Sequence, residues 1–261
     1  MTSVEPRFFG PAERQLFGVY HPPAGRAAHP AGVLLCYPGP QEYMRCHWAF
    51  RKLATLLARA GLHVLRFDWY GSGDSDGDSL EGTPAQWRLD VATALQELRD
   101  VSGLRRASLV GFRLGAALAL QASVKVRDLV LWEPVVSGRA HVEELRRQHE
   151  LRFAHCLHPP PLPDELMGQP FPRALRREYE ALDLLEAPPA CRAQRVVVLA
   201  SEERPEHARL LDALRSPGTF AEVAWRHVPE PAQPDGDDDF LLSTHAQQAI
   251  AALLTGEAAR S

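Results

Sequence analysis

The stretch Leu109-Val110-Gly111-Phe112-Arg113-Leu114-Gly115-Ala116 decides how this chain is read. Apolar residues from Arg106 to Val110 form a short run of the kind that lies in a buried strand. Gly111 opens a sharp turn. From about Arg113 to Val124 the residues are rich in Ala and Leu and read as a helix. A buried strand that turns directly into a helix is one half of a parallel strand–helix–strand unit.

Working outward, the same unit recurs on both sides. Ala31 to Tyr37 is an apolar run, followed by helical spacing over residues 44 to 60 (Leu53, Leu56, Leu57, Ala60) that Gly61 stops. Leu62 to Asp68 is the next strand. A polar, glycine-rich loop from Gly71 to Gly82 leads to a helix that begins near Pro84 and runs to about Val101. Val126 to Trp132 is a further strand. After residue 190 the alternation resumes, with a strand over Arg195–Ala200, a helix at 205–215, a strand over Phe220–Val228 and a final helix at 240–255. Arg7–Phe9 and Gln15–Tyr20 read as an antiparallel hairpin. Repeated units of this length predict a mostly parallel sheet with helices on both faces.

Residues 138 to 190 interrupt the pattern with a charged helix at about 139–153, the run Pro159-Pro160-Pro161-Leu162-Pro163, and an amphipathic stretch near 173–186. They read as a small helical cap over the carboxyl ends of the strands. The 261 residues fit one domain carrying that insertion.

Bulk composition narrows the function classes. The net charge of −4 lacks the basic stripe of a nucleic-acid protein, and no apolar run approaches the length of a membrane span. The start, Met1 to Pro6, has no basic-then-apolar leader pattern. Cys36, Cys46, Cys156 and Cys191 form neither CxxC pairs nor a zinc spacing, which predicts reduced thiols in a cytoplasmic protein. No metal and no cofactor is expected. His155 and His158 lack further ligands, and Asp235-Gly236-Asp237-Asp238-Asp239 lacks the later glutamate of a calcium loop.

The segments Leu65-Arg66-Phe67-Asp68-Trp69-Tyr70-Gly71-Ser72-Gly73-Asp74-Ser75, Leu109–Ala116 and Leu131–Gly138 together resemble the α/β-hydrolases, in particular their serine-aminopeptidase-like branch. The Gly-x-Arg-Leu-Gly-Ala turn and the Trp-x-Pro-Val segment resemble most closely the bacterial exosortase-A-system-associated hydrolases. The resemblance implies an α/β-hydrolase fold. It also implies that Gly111-x-Arg113-x-Gly115 stands where the motif G-x-S-x-G presents a nucleophilic serine on a tight strand-to-helix turn. A guanidinium carries no nucleophilic lone pair, so Arg113 cannot form an acyl-enzyme.

The other members of a triad are tested by the same frame. Glu202 and Glu203 occupy the loop where an acid should lie. The histidine position falls on Asp238 or Asp239, and His245 comes later, inside the last helix. A carboxylate in an aspartate run is a poor general base beside an imidazole. The string Gly73-Asp74-Ser75-Asp76-Gly77 and the string Gly77-Asp78-Ser79-Leu80 match hydrolase motifs only as text, because both lie in a polar loop. Cys46, near a helix start, is a minor candidate nucleophile.

A cation at a helix N-terminus demands a nearby anion. The internal candidates are Glu42, in the loop facing the turn, then Glu133, then the Asp237–Asp239 run. Alternatively Arg113 orients a small anionic ligand. Arg113 and Glu42 are therefore the residues on which chemistry would rest, and Tyr37, Gln41, Glu133, Glu202, Asp238 and Asp239 complete the predicted ligand site. The functions left open are a hydrolase-fold protein without serine catalysis that binds or transforms a small anionic molecule, an ester or thioester hydrolase or acyl transferase with a non-standard nucleophile, and an interaction module built on the charged helix of the cap.

Overall fold

The computed structural model describes residues 4–24, 31–156, 164–229 and 244–256. The elements run β1 (Glu5–Phe9), β2 (Leu16–His21), β3 (Gly32–Cys36), α1 (Pro40–Arg59), β4 (His63–Phe67), α2 (Pro84–Ser102), β5 (Ala107–Phe112), α3 (Leu114–Gln121) and β6 (Lys125–Trp132). They continue with α4 (Gly138–Phe153), β7 (Glu165–Leu166), β8 (Gln169–Pro170), α5 (Arg173–Glu180), β9 (Arg192–Ala200), α6 (Pro205–Leu214), β10 (Glu222–His227) and α7 (Thr244–Thr255). Eight strands form one sheet in the order β1-β2-β4-β3-β5-β6-β9-β10. The hairpin β1–β2 is antiparallel, and β2 joins β4 antiparallel; every other pair is parallel.

Strand β3 shows why the apolar runs were readable. All five of its residues are buried. Successive side chains point to opposite faces. Val33 and Leu35 pack with Phe50, Leu53 and Leu57 of α1 and Ile250 of α7, whereas Leu34 and Cys36 pack with Leu95 and Leu98 of α2 and Ala117 of α3. Two cores, one on each face, require the continuous hydrophobicity of a parallel strand rather than alternation.

The helix signals act as expected at α2. The Thr83 hydroxyl accepts from the Gln86 amide at 3.2 Å, Pro84 fills the first turn, and Gly103 closes the helix at φ 69°. Helix α1 differs from its reading. It begins at Pro40, not near residue 44, so Gln41 and Glu42 belong to its first turn rather than to a loop. The ring of Pro40 fixes φ at a helical value and lacks only an N–H that a first turn leaves unbonded anyway. Strand β5 also reaches two residues further, to Phe112.

Between β6 and β9 the chain builds α4 and α5 and adds a two-residue hairpin, β7–β8, turning through Met167 (φ 57°) and Gly168 (φ 79°). Pairs this short leave no periodicity to read. Tyr179 of α5 seats this layer on the sheet: its hydroxyl donates to Gln41 Oε1 at 2.9 Å. Among the described residues no helix is long and apolar enough to cross a membrane.

Candidate functional site

The site is built on the turn between β5 and α3. Arg113 alone links the two elements, with φ 54° and ψ −119°. Such a conformation costs a non-glycine residue roughly 1–3 kcal/mol and persists only where surroundings impose it. Here they do. The Arg113 amide donates to Trp132 O at 2.9 Å, and its carbonyl accepts from Ala116 N at 3.1 Å and Val135 N at 3.2 Å. The flanking glycines allow three backbones to meet. A Cβ on Gly111 would lie 2.5 Å from Ala116 Cα, and one on Gly115 would lie 2.1 Å from the Tyr37 carbonyl oxygen.

The Arg113 side chain turns inward and is 8% exposed. Its Nε donates to Glu42 Oε1 at 3.1 Å, and its Nη2 donates to Glu144 Oε2 at 2.6 Å. Nη2 also lies 3.4 Å from His141 Nδ1, and His141 Nε2 lies 3.6 Å from Glu42 Oε2. Glu42 comes from the first turn of α1, Arg113 from the sheet, and His141 and Glu144 from adjacent positions on one face of α4. The cluster thus binds three parts of the fold.

Electrostatics keep Arg113 and Glu144 charged. Burial works against the Arg113 cation, but Glu42 and then Glu144 outweigh it and raise the guanidinium pKa further. Burial pushes the Glu144 carboxyl up; the His141 hydrogen bond and Arg113 pull harder and hold it at about 2. Two carboxylates face one guanidinium, so Arg113 has no unspent charge.

Beside the cluster lies a cavity of about 250 Å³. Three arginines line it (Arg113, Arg147, Arg204) against three glutamates (Glu133, Glu144, Glu206), together with His141 and His207. Among the described residues the signs balance, so their lining does not make an anion trap.

The predicted site residues divide. Glu42 pairs with Arg113. Glu133 (φ 44°) lines the cavity and accepts from the Ser201 amide at 2.5 Å; it does not reach Arg113. Tyr37 does not face the cavity. It is fully buried under α1, stacked on Phe50 with centroids 4.4 Å apart, and its hydroxyl accepts from Arg66 Nη1 at 3.1 Å. Gln41 is buried and takes the Tyr179 hydroxyl, which makes it a brace between α1 and α5 rather than part of the cavity wall. The Glu202 carboxylate is 69% exposed and pairs with Arg204 at 3.3 Å. Asp238 and Asp239, and the Asp237–Asp239 run as a partner for Arg113, lie outside the described residues.

Other candidates take structural places. Ser75 Oγ donates to Asp68 O at 2.7 Å and accepts from Phe17 N at 2.8 Å, which pins the glycine-rich loop. Cys46 is wholly buried, and burial followed by the charge of Glu42 raises its thiol far from reactivity. His245 is the second residue of α7. Among the described residues no three His, Cys, Asp or Glu side chains are placed to share a metal ion.

Sequence reasoning missed His141 and Glu144. The signal available was their i, i+3 spacing on a helix whose Val142 and Leu145 are buried. In sequence alone the run Glu143-Glu144-Leu145-Arg146-Arg147 has the look of a solvated helix face.

A model of the alpha/beta hydrolase family matches residues 25–260. The chain belongs to the alpha/beta hydrolase family. Among curated proteins, the human mitochondrial palmitoyl-protein thioesterase ABHD10 and its counterpart from Pongo abelii are 42% identical to this chain over 91 residues. Those matches span 35% of this chain and 28% of the relatives' length. Among solved structures, mouse alpha/beta hydrolase domain-containing protein 10 superposes with a TM-score of 0.56 at 18% identity, covering 98% of this chain and 99% of its own. Est1E from Butyrivibrio proteoclasticus, with ferulic acid bound, gives 0.62 at 12% identity, covering 97% and 99%. These likenesses show the fold.

Proposed function

We propose that this alpha/beta hydrolase does not use serine catalysis. Arg113 takes the place of the nucleophile, and the chain binds a small ligand in the cavity beside it. The observation that carries the reading is the pairing of Arg113 with Glu42 and Glu144 at the strained turn, where a hydrolase of this fold needs a free nucleophile. The turn Arg113-Leu114-Gly115-Ala116 and the segment Trp132-Glu133-Pro134-Val135 support placing the chain beside the exosortase-A-system-associated hydrolases. The charge balance of the cavity moves recognition of a carboxylate or phosphate away from Arg113 and toward Arg147, which makes no ion pair among the described residues. In this reading residues 1–261 act as one domain with the cap at 138–190. Four cysteines without disulfides fit a reducing, cytoplasmic setting.

The second reading is an ester or thioester hydrolase. The 91-residue likeness to a palmitoyl-protein thioesterase favours it. Incubation of the full chain with a fluorophosphonate, followed by intact-mass spectrometry, separates the two. No adduct beside a labelled control hydrolase is expected. A stoichiometric adduct would overturn the first reading, and its mapping would name the serine in use.

A further inference from the structure

At the opposite end of the sheet, where the parallel strands begin, the structure holds a second, differently charged cavity. Its volume is about 270 Å³, and it is lined by Arg99, Arg105, Arg106, Lys125, Arg127 and Gln194. Arg99 comes from the last turn of α2, Arg105 and Arg106 from the loop entering β5, Lys125 and Arg127 from β6 and Gln194 from β9. Among the described residues no acidic side chain lines it.

Internal compensation accounts for little of this charge. Arg127 pairs with Asp128 at 3.4 Å. Among the described residues Arg99, Arg105, Arg106 and Lys125 make no ion pair. Arg99 Nη2 donates to the Lys125 carbonyl at 2.7 Å, which fixes its guanidinium, while its buried Nε has no hydrogen-bond partner. The carboxyl end of α2 supplies the equivalent of about half a negative charge, enough to offset a fraction of one cation. Four uncompensated cations around one concavity, in a chain of net charge −4, repel one another unless an anion joins them.

We propose that this cavity is a binding site for a compact polyanion, a di- or triphosphate group. Planar guanidiniums bind phosphate oxygens through paired N–H donors, and the neutral Gln194 adds a further donor. A single carboxylate would match one cation and leave three. The cavity holds a group of head-group size and is separate from the Arg113 cluster, which lies at the other ends of β5 and β6.

Isothermal titration of the full chain at about 0.15 M salt tests this. The probes are tripolyphosphate, ATP and, as a monoanionic control, acetate. The comparison variant is Arg105→Gln/Arg106→Gln, whose side chains make no hydrogen bond or ion pair among the described residues, so its melting temperature serves as a control for folding. One saturable site per chain for tripolyphosphate is expected, with no acetate binding and a loss of about tenfold or more in the variant. ATP binding of similar strength points to the phosphate chain of a larger molecule as the natural source, and tripolyphosphate binding alone points to the free anion; either supports the site. Absence of saturable binding by both phosphates up to about 1 mM, or equal affinity in the unchanged-stability variant, would overturn it.

Discussion

Arg113 Nη2 and Glu144 Oε2 meet at 2.6 Å, and this contact ties the turn after β5 to α4. A cation from the sheet and an anion from α4 thereby fix where the two layers sit. The second carboxylate, Glu42, reaches the same guanidinium from α1 and is 1% exposed.

Replacing Arg113 by Ala leaves Glu42 buried without its cation. The expected loss of stability is about 3–5 kcal/mol, read from urea denaturation. Arg113→Met combined with Glu42→Gln removes both charges and should recover a large part of that loss. Equal destabilisation in the single and double variants would show that an unpaired, buried Glu42 is not the source of the loss.

Glu144 gives the seat of α4 on the sheet an acid limit. Its folded-state carboxyl sits at about 2, below the ordinary 4.5, through the His141 hydrogen bond and Arg113 acting against burial. A depressed carboxyl stabilises the fold fully above its unfolded value, and that contribution fades as pH falls from about 4.5 toward 2. Wild type and Glu144→Gln should therefore differ in melting temperature at pH 6, and the gap should narrow steadily as pH falls from about 4.5 toward 2. A gap that stays constant down to acid pH would contradict the pairing.

His21 behaves in the opposite chemical sense but along the same pH axis. Burial first, then the neighbouring Arg66 and Arg51, push its imidazole down to about 4, and its Nε2 accepts from Arg66 Nε at 3.3 Å. The fold holds it neutral. Its stabilising share is complete above the unfolded value near 6.5 and is lost as pH falls toward 4. Proton NMR titration of the His21 ring should give a midpoint about two units below an exposed histidine. A midpoint near 6.5 would mean that the β2–β4 seam is open to water.

The glycine frame is tested by Gly115→Ala. The new Cβ would stand 2.1 Å from the Tyr37 carbonyl oxygen, and both neighbours are backbone, so neither can yield cheaply. The chain is expected to express poorly or to lose several kcal/mol, on the order of an overpacked core position. Gly103→Ala serves as the contrast. Its Cβ meets nothing within 4 Å, and only the positive φ penalises it, by about 1 kcal/mol.

The sheet was legible because its strands are buried on both faces. Val33-Leu34-Leu35-Cys36 and Val196-Val197-Val198-Leu199 read as unbroken apolar runs whichever core each side chain enters. The start of α1 was not, since Tyr37-Pro38-Gly39-Pro40 has the composition of a loop while Pro40 serves as a first helical residue. Glu42 was found because the turn's cation needs an anion and the fold brings that segment near. Glu144 was hidden for a physical reason: a glutamate on a charged helix looks alike in sequence whether it meets water or a guanidinium 31 positions away. Tyr37 was misplaced to the cavity because the pleat that sends it under α1 is settled only by the register of β3 on β5.

The crossing of three backbones at Gly111, Arg113 and Gly115 separates shape from chemistry. The φ of 54° is imposed by the hydrogen bond that the Arg113 amide donates to the Trp132 carbonyl, by those that the Arg113 carbonyl accepts from Val135 and Ala116, and by the bare α-carbons on either side, none of which involves the side chain in the middle. That middle position is a free variable of the scaffold. A search for other chains with this bend would therefore follow the spacing of the two glycines after a buried strand rather than any residue between them.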